Sequence, residues 1–153
     1  MISIRHTGIY VKDIEKIEGF YTAVFHMTAI CSKQPDSGLL FDELIGEKNV
    51  VIETSKLITP YGKDQGQGDM LELVKVDTDL LDVDKNHMGF PIYLPGTAHL
   101  AFGVEDIEET VEKIKSMNGT LSTSIRVMQN GNKCCFCRDP EGNWIELIQR
   151  KEY

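Results

Sequence analysis

The chain has 153 residues, 41% hydrophobic and 26% charged, which suits one globular domain or two small similar halves sharing a core. A formal net charge of −8 with no offsetting Lys/Arg run argues against a nucleic-acid partner, though a local pocket could still hold a small anion. The amino terminus lacks the apolar core of a signal peptide and no later run could span a bilayer, so a cytoplasmic protein with a small-molecule partner is expected.

Residues 2–11 alternate as a strand does, with Ile4, His6, Gly8 and Tyr10 on one face and Thr7, Ile9 and Val11 on the other. Asp13 is placed to cap a helix over 14–26, where Ile14, Ile17, Phe20, Tyr21 and Val24 recur at helical spacing and His26 closes it facing solvent. A strand is predicted at 27–31 and a short helix within 37–47, where Leu39, Leu40, Leu44 and Ile45 follow helical spacing. Strands at 50–54 and 70–76 flank a loop, Tyr61–Gly68, whose glycines match neither a dinucleotide fingerprint nor a P-loop, so a connector is expected. Asp77–Pro91 is acidic and reads as a linker, with His87 facing solvent. Its aspartates lack the central glycine and terminal glutamate of a calcium loop.

A strand at 97–104 then runs into a helix over 107–118, with Asp106 and Glu109 as a capping box and Gly119 as its stop. Three more strands are predicted at 120–125, 133–138 and 144–149, with turns at Asn130-Gly131 and Asp139–Gly142. Among the four cysteines, Cys134, Cys135 and Cys137 crowd one window, poor geometry for disulfides, so Cys31 and these three are expected to be reduced. Alternation sends Cys135 and Cys137 to one face and Cys134 to the other, which rules out a zinc knuckle and suggests packing as small hydrophobes.

The second half replays the first. His6 and His99, Val11 and Val104, Asp13 and Asp106, and Ile14 and Ile107 are each 93 residues apart. Glu72 in Met70–Val74 and Glu146 in Trp144–Ile148 also match, 74 residues apart. The organisation implied is module 1 over 1–76, a linker over 77–96 and module 2 over 97–153, each module a strand, a helix and three strands. The excess length of module 1 falls at the added helix and the glycine loop, where insertion leaves the His and Glu strands untouched.

Each half thus carries one His on its first strand and one Glu on its last. A carboxylate in an apolar strand is costly unless paired or bound to a metal. Taken singly, such a His is more often a hydrogen-bonded core residue and such a Glu often faces solvent. Four such residues at equivalent positions of a duplication point instead to a shared metal site of His6, Glu72, His99 and Glu146. Imidazole with carboxylate suits Zn²⁺, Ni²⁺, Co²⁺, Mn²⁺ or Fe²⁺.

The motifs His6-x-Gly-Ile-x-Val-x-Asp-Ile14, His99-Leu-Ala-Phe-x-Val-Glu-Asp-Ile107 and Asp139-Pro-Glu-Gly-Asn-Trp-Ile-Glu-Leu-Ile148 resemble the vicinal oxygen chelate superfamily. Within it they are most similar to the glyoxalase I (lactoylglutathione lyase) and methylmalonyl-CoA epimerase branch. The resemblance implies an α+β fold of two tandem βαβββ modules, forming curved mixed sheets around a divalent metal, with Ni²⁺ or Zn²⁺ first and Co²⁺ or Mn²⁺ next. It implies His6, Glu72, His99 and Glu146 as ligands, with Glu146 and Glu72 also moving the proton. It further implies a glyoxalase-type lyase or isomerase, active as a homodimer. The alternatives are an epimerase-like enzyme and, in another class, a metal-free small-molecule binding or resistance protein. The family's glutathione-binding Arg and Asn are here Tyr10 and Val76, and neither replaces a bidentate guanidinium.

Overall fold

A computed structural model describes residues 4–66, 68–77, 91–93 and 95–151. It contains β1 (Thr7–Tyr10), α1 (Ile14–Phe25), β2 (Thr28–Ser37), α2 (Leu39–Ile45), β3 (Val51–Ile58), α3 (Pro60–Gln65) and β4 (Met70–Asp77). These are followed by β5 (His99–Val104), α4 (Ile107–Ser116), β6 (Thr120–Leu121), β7 (Arg126–Val127), β8 (Lys133–Arg138) and β9 (Trp144–Gln149). The chain divides into two compact units, Met1–Asp82 and Val83–Tyr153. Most of the expected linker, His87 included, lies outside the described residues.

The first unit holds a four-stranded sheet in the order β1-β4-β3-β2, the second a sheet in the order β5-β9-β8-β6 with β7 also on β8. In each, the first strand runs parallel to the last and the remaining pairs are antiparallel. A parallel neighbour requires a crossover, and α1 and α4 supply it. Both helices begin on an aspartate: Asp13 accepts the Lys16 amide at 3.0 Å and Asp106 the Glu109 amide at 2.8 Å. Their apolar stripes cover one sheet face. Ile14, Ile17, Phe20, Tyr21 and Val24 bury against the side of Leu57, Leu71 and Leu73; Ile107, Val111 and Ile114 bury on the side of Cys135, Cys137, Ile145 and Leu147. Because side chains alternate, the intervening residues Glu72 and Glu146 are turned to the opposite face.

Several expectations change. The opening strand spans only Thr7–Tyr10, so His6 precedes it. The second strand runs on to Ser37, and it tolerates Pro35 because it is an edge strand. The expected connector contains α3: Thr59 accepts the Gly62 amide at 3.0 Å, Pro60 starts the helix and Gly66 ends it at φ 70°. Of the strand predicted at 120–125 only β6 forms, because the amides of Ser122 and Thr123 both turn to the Phe136 carbonyl; β7 begins beyond it at Arg126. Helix α4 stops with Asn118 at φ 65°. Gly119 is required for a different reason: a Cβ there would lie 2.6 Å from Ile114 Cγ2 and 2.7 Å from the Arg138 carbonyl oxygen.

Candidate functional site

In the first unit, parallel pairing sets Gly8 opposite Glu72, which lets His6, two residues earlier, reach that carboxylate diagonally. His6 Nε2 lies 3.1 Å from Glu72 Oε2. In the second unit Ala101 stands opposite Glu146, and His99, again two residues earlier, brings Nε2 to 3.1 Å from Glu146 Oε2. The same diagonal of the same parallel ladder is built twice. A small residue faces each carboxylate, so neither is roofed over; the Glu72 and Glu146 side chains keep 18% and 20% of their surface accessible. Each pair is thus sheltered yet reachable.

The carboxylates' second oxygens are held differently. Lys56, opposite Glu72 in the β3–β4 ladder, puts Nζ 3.3 Å from Glu72 Oε1. Glu146 Oε1 instead accepts a hydrogen bond from Cys134 Sγ at 3.2 Å. Burial, then the bond to Glu146, pushes the Cys134 thiol up to about 11, so at neutral pH it is a neutral donor. Cys135 and Cys137 do pack as small hydrophobes, whereas Cys134 belongs to the site. Phe136, opposite Glu146, meets the His99 ring edge-on at 5.6 Å and Trp144 at 6.4 Å.

The turn between β8 and β9 fixes this register. Asp139 is buried, and Oδ1 accepts the amides of Glu141 and Asn143 at 2.9 and 3.0 Å while Oδ2 accepts the Asn143 side chain at 2.8 Å. Gly142 closes the turn at φ 90°. Arg138 donates to the Gly142 carbonyl at 2.8 Å and lies 3.7 Å over the Trp144 ring. One residue of slip would turn Glu146 into the core.

Tyr10 is a wall of a pocket of about 340 Å³. The pocket occupies the Glu72 face of the first sheet. Helix α2 covers this face, with Phe41 and Ile45 packed on Ile52 and Val74. Lys56 and Glu72 stand at one end and Asp36 also lines it.

Among the described residues no three His, Cys, Asp or Glu side chains gather into one group; each unit gathers a pair. The donor chemistry of each pair suits a divalent ion: one imidazole nitrogen and one carboxylate oxygen, with no thiolate. Two donors bound about 2.1 Å from one ion stand about 3.0–3.4 Å apart, and both pairs fall in that range at 3.1 Å. No helix among the described residues is long and apolar enough to cross a membrane.

The sequence profile of the Glyoxalase/Bleomycin resistance protein/Dioxygenase superfamily matches residues 3–147. A probable lactoylglutathione lyase of Vibrio parahaemolyticus is 30% identical over 152 residues, covering 97% of this chain and 91% of that protein. A probable lactoylglutathione lyase of Synechocystis is 31% identical over 147 residues, covering 95% of this chain and 94% of that protein. Among solved structures, a glyoxalase family protein from Bacillus cereus superposes with a TM-score of 0.81 at 20% identity, covering 97% of this chain and 94% of the other.

Proposed function

Because the chain belongs to the Glyoxalase/Bleomycin resistance protein/Dioxygenase superfamily, we propose that it is a metal-dependent lyase or isomerase of the glyoxalase I type. It moves a proton on a carbon next to a carbonyl, as a lactoylglutathione lyase does. The observation that supports this is the repeated pair: one His and one Glu at 3.1 Å, on the same diagonal of a parallel ladder, in each of two units.

In this proposal His6, Glu72, His99 and Glu146 are the ligands of a divalent ion, Ni²⁺ or Zn²⁺ first and Co²⁺ or Mn²⁺ next. The ion would supply Lewis acidity at the substrate's carbonyl oxygen. The remaining work belongs to the chain. His6 and His99 would each offer one ring nitrogen to the ion. Glu146 takes the proton from the carbon beside the carbonyl, while Cys134 holds its other oxygen in place. Glu146 gives that same proton back to the neighbouring carbon, and Glu72, at the matching position of the other unit, is the equivalent shuttle for a proton on the substrate's other side. Phe136 meets the His99 ring edge-on and Trp144 in turn, giving the second unit's pair an aromatic wall.

The test is an assay of the protein with added Ni²⁺, Co²⁺ or Zn²⁺ on hemithioacetals of methylglyoxal and on methylmalonyl-CoA, read as isomerised product and as deuterium exchange at the reacting carbon. Turnover of the hemithioacetals supports the lyase, and turnover of methylmalonyl-CoA alone moves the chain to the epimerase alternative. Absence of exchange with every metal and substrate overturns the proposal. Glu146→Gln and Glu72→Gln should each lower turnover by about 10²-fold or more, the scale of a lost general base, while substrate still binds.

A further inference from the structure

The pocket of about 340 Å³ on the Glu72 face lies at the small end of ligand sites. Part of its wall is apolar, with Tyr10 from β1, Ile52 and Val74 from the sheet, and Phe41, Leu44 and Ile45 from α2; Thr54 and three charged side chains complete it. Leu44 is 63% exposed although it lines the pocket, so α2 offers apolar surface that the chain itself does not cover. The charges are segregated. Lys56 stands with Glu72 at one end, and Asp36 faces Ile52 across the β2–β3 ladder. Four residues of β3 separate Ile52 from Lys56, about 13 Å of extended chain at about 3.3 Å per residue.

Lys56 is the unusual element. Its 3.3 Å separation from Glu72 Oε1 is long for an ammonium–carboxylate bond, which closes to about 2.7–2.9 Å when the pair is tight. The side chain keeps 38% of its surface accessible, and an ammonium has two further protons to give. If Glu72 is a metal ligand, its one negative charge cannot also fully satisfy Lys56.

We propose that this pocket receives the apolar arm of the substrate and that Lys56 pairs with an anionic group of the same molecule, making the substrate class a small acid with an apolar arm. This deepens the proposed function and rests on it in placing the reacting carbon beside Glu72. The apolar arm lies under α2 between Phe41, Leu44 and Val74. The carboxylate takes the Lys56 end, because Lys56 is the cationic side chain among those lining the pocket.

The test uses 4-phenylbutanoate and its neutral amide as probes, titrated calorimetrically into metal-loaded and metal-stripped protein, with metal content per chain measured on the same samples. In the wild type the acid should bind about tenfold tighter than the amide, as one charge-assisted hydrogen bond allows. Lys56→Met should bring acid and amide within about twofold, and Lys56→Arg should restore the preference. Leu44→Asn should weaken both probes alike, since it removes apolar wall and no charge. Equal affinity for acid and amide in the wild type overturns the proposal, as does an acid preference that survives in Lys56→Met. Should Lys56→Met not fold, Lys56→Gln takes its place. A protein that retains no metal yet still prefers the acid through Lys56 refutes the ligand set alone; one that retains metal without the preference refutes this inference alone.

Discussion

A glutamate in the middle of an apolar strand has to be paired, and in this chain each one is paired twice, once by a histidine and once by a neighbour that differs between the units. Lys56 serves Glu72 and Cys134 serves Glu146. The His and Glu positions were legible in the sequence because duplication wrote them at matching sites. Lys56, Cys134 and Phe136 were not, since a cross-strand neighbour depends on register, which is set by turns and bulges far along the chain. Among the thiols, burial pushes Cys137 from 9.0 up to about 12. Below about pH 9 this thiol is protonated whether the chain is folded or not, so its contribution to stability is intact. Between about pH 9 and 12 the unfolded chain loses that proton while the folded one keeps it, and stability falls. Urea midpoints of the wild type and Cys137→Ala, measured from pH 8 to 11, should therefore converge as pH rises. A constant gap would mean that this thiol titrates normally.

At the level of elements, the helices and turns act as register setters. Ser55, buried in β3, donates to Glu18 of α1 at 2.6 Å and accepts the Lys33 amide at 2.9 Å, where β2 shifts register between Cys31 and Gln34. Lys33 holds φ 48° at this irregularity, so one hydroxyl ties the helix, the bulge and the strand together. Ser55→Ala should cost about 0.5–1.5 kcal/mol in chemical denaturation, since the Lys33 amide loses its acceptor while Glu18 keeps the Ser32 hydroxyl. An unchanged midpoint would show that the bulge holds without it. Gly119→Ala should cost about 1–3 kcal/mol by overpacking against Ile114 and the Arg138 carbonyl. Substitution with no loss would place α4 farther from β8 than it stands. The two crossover helices were legible from apolar stripes and capping aspartates. Helix α3 was overlooked because its glycines outweighed the Thr59-Pro60 start, and the 120–125 strand because alternation does not reveal that two amides share one carbonyl.

Across the whole chain, the duplication gives two units of the same topology with unequal additions. The first unit carries α2 and α3, and its ligand face is partly covered by α2; in the second unit an aromatic row of His99, Phe136 and Trp144 lies along the equivalent face. The two donor pairs are therefore alike in geometry and unlike in surroundings. Family membership and the βαβββ plan were readable from three short motifs, because they encode strand-to-helix caps and a turn that fixes register. The substrate was not: the motifs say nothing of residues 32–68, which supply most of the pocket's lining. The proposed ligand set draws one His–Glu pair from each unit, and metal stoichiometry tests it most directly. Elemental analysis of the protein after reconstitution and desalting should give one divalent ion per chain, and His6→Ala, Glu72→Ala, His99→Ala and Glu146→Ala should each reduce retention by an order of magnitude or more. A reconstituted wild type that holds no metal, or variants of either unit that hold as much as the wild type, would contradict a shared four-residue site.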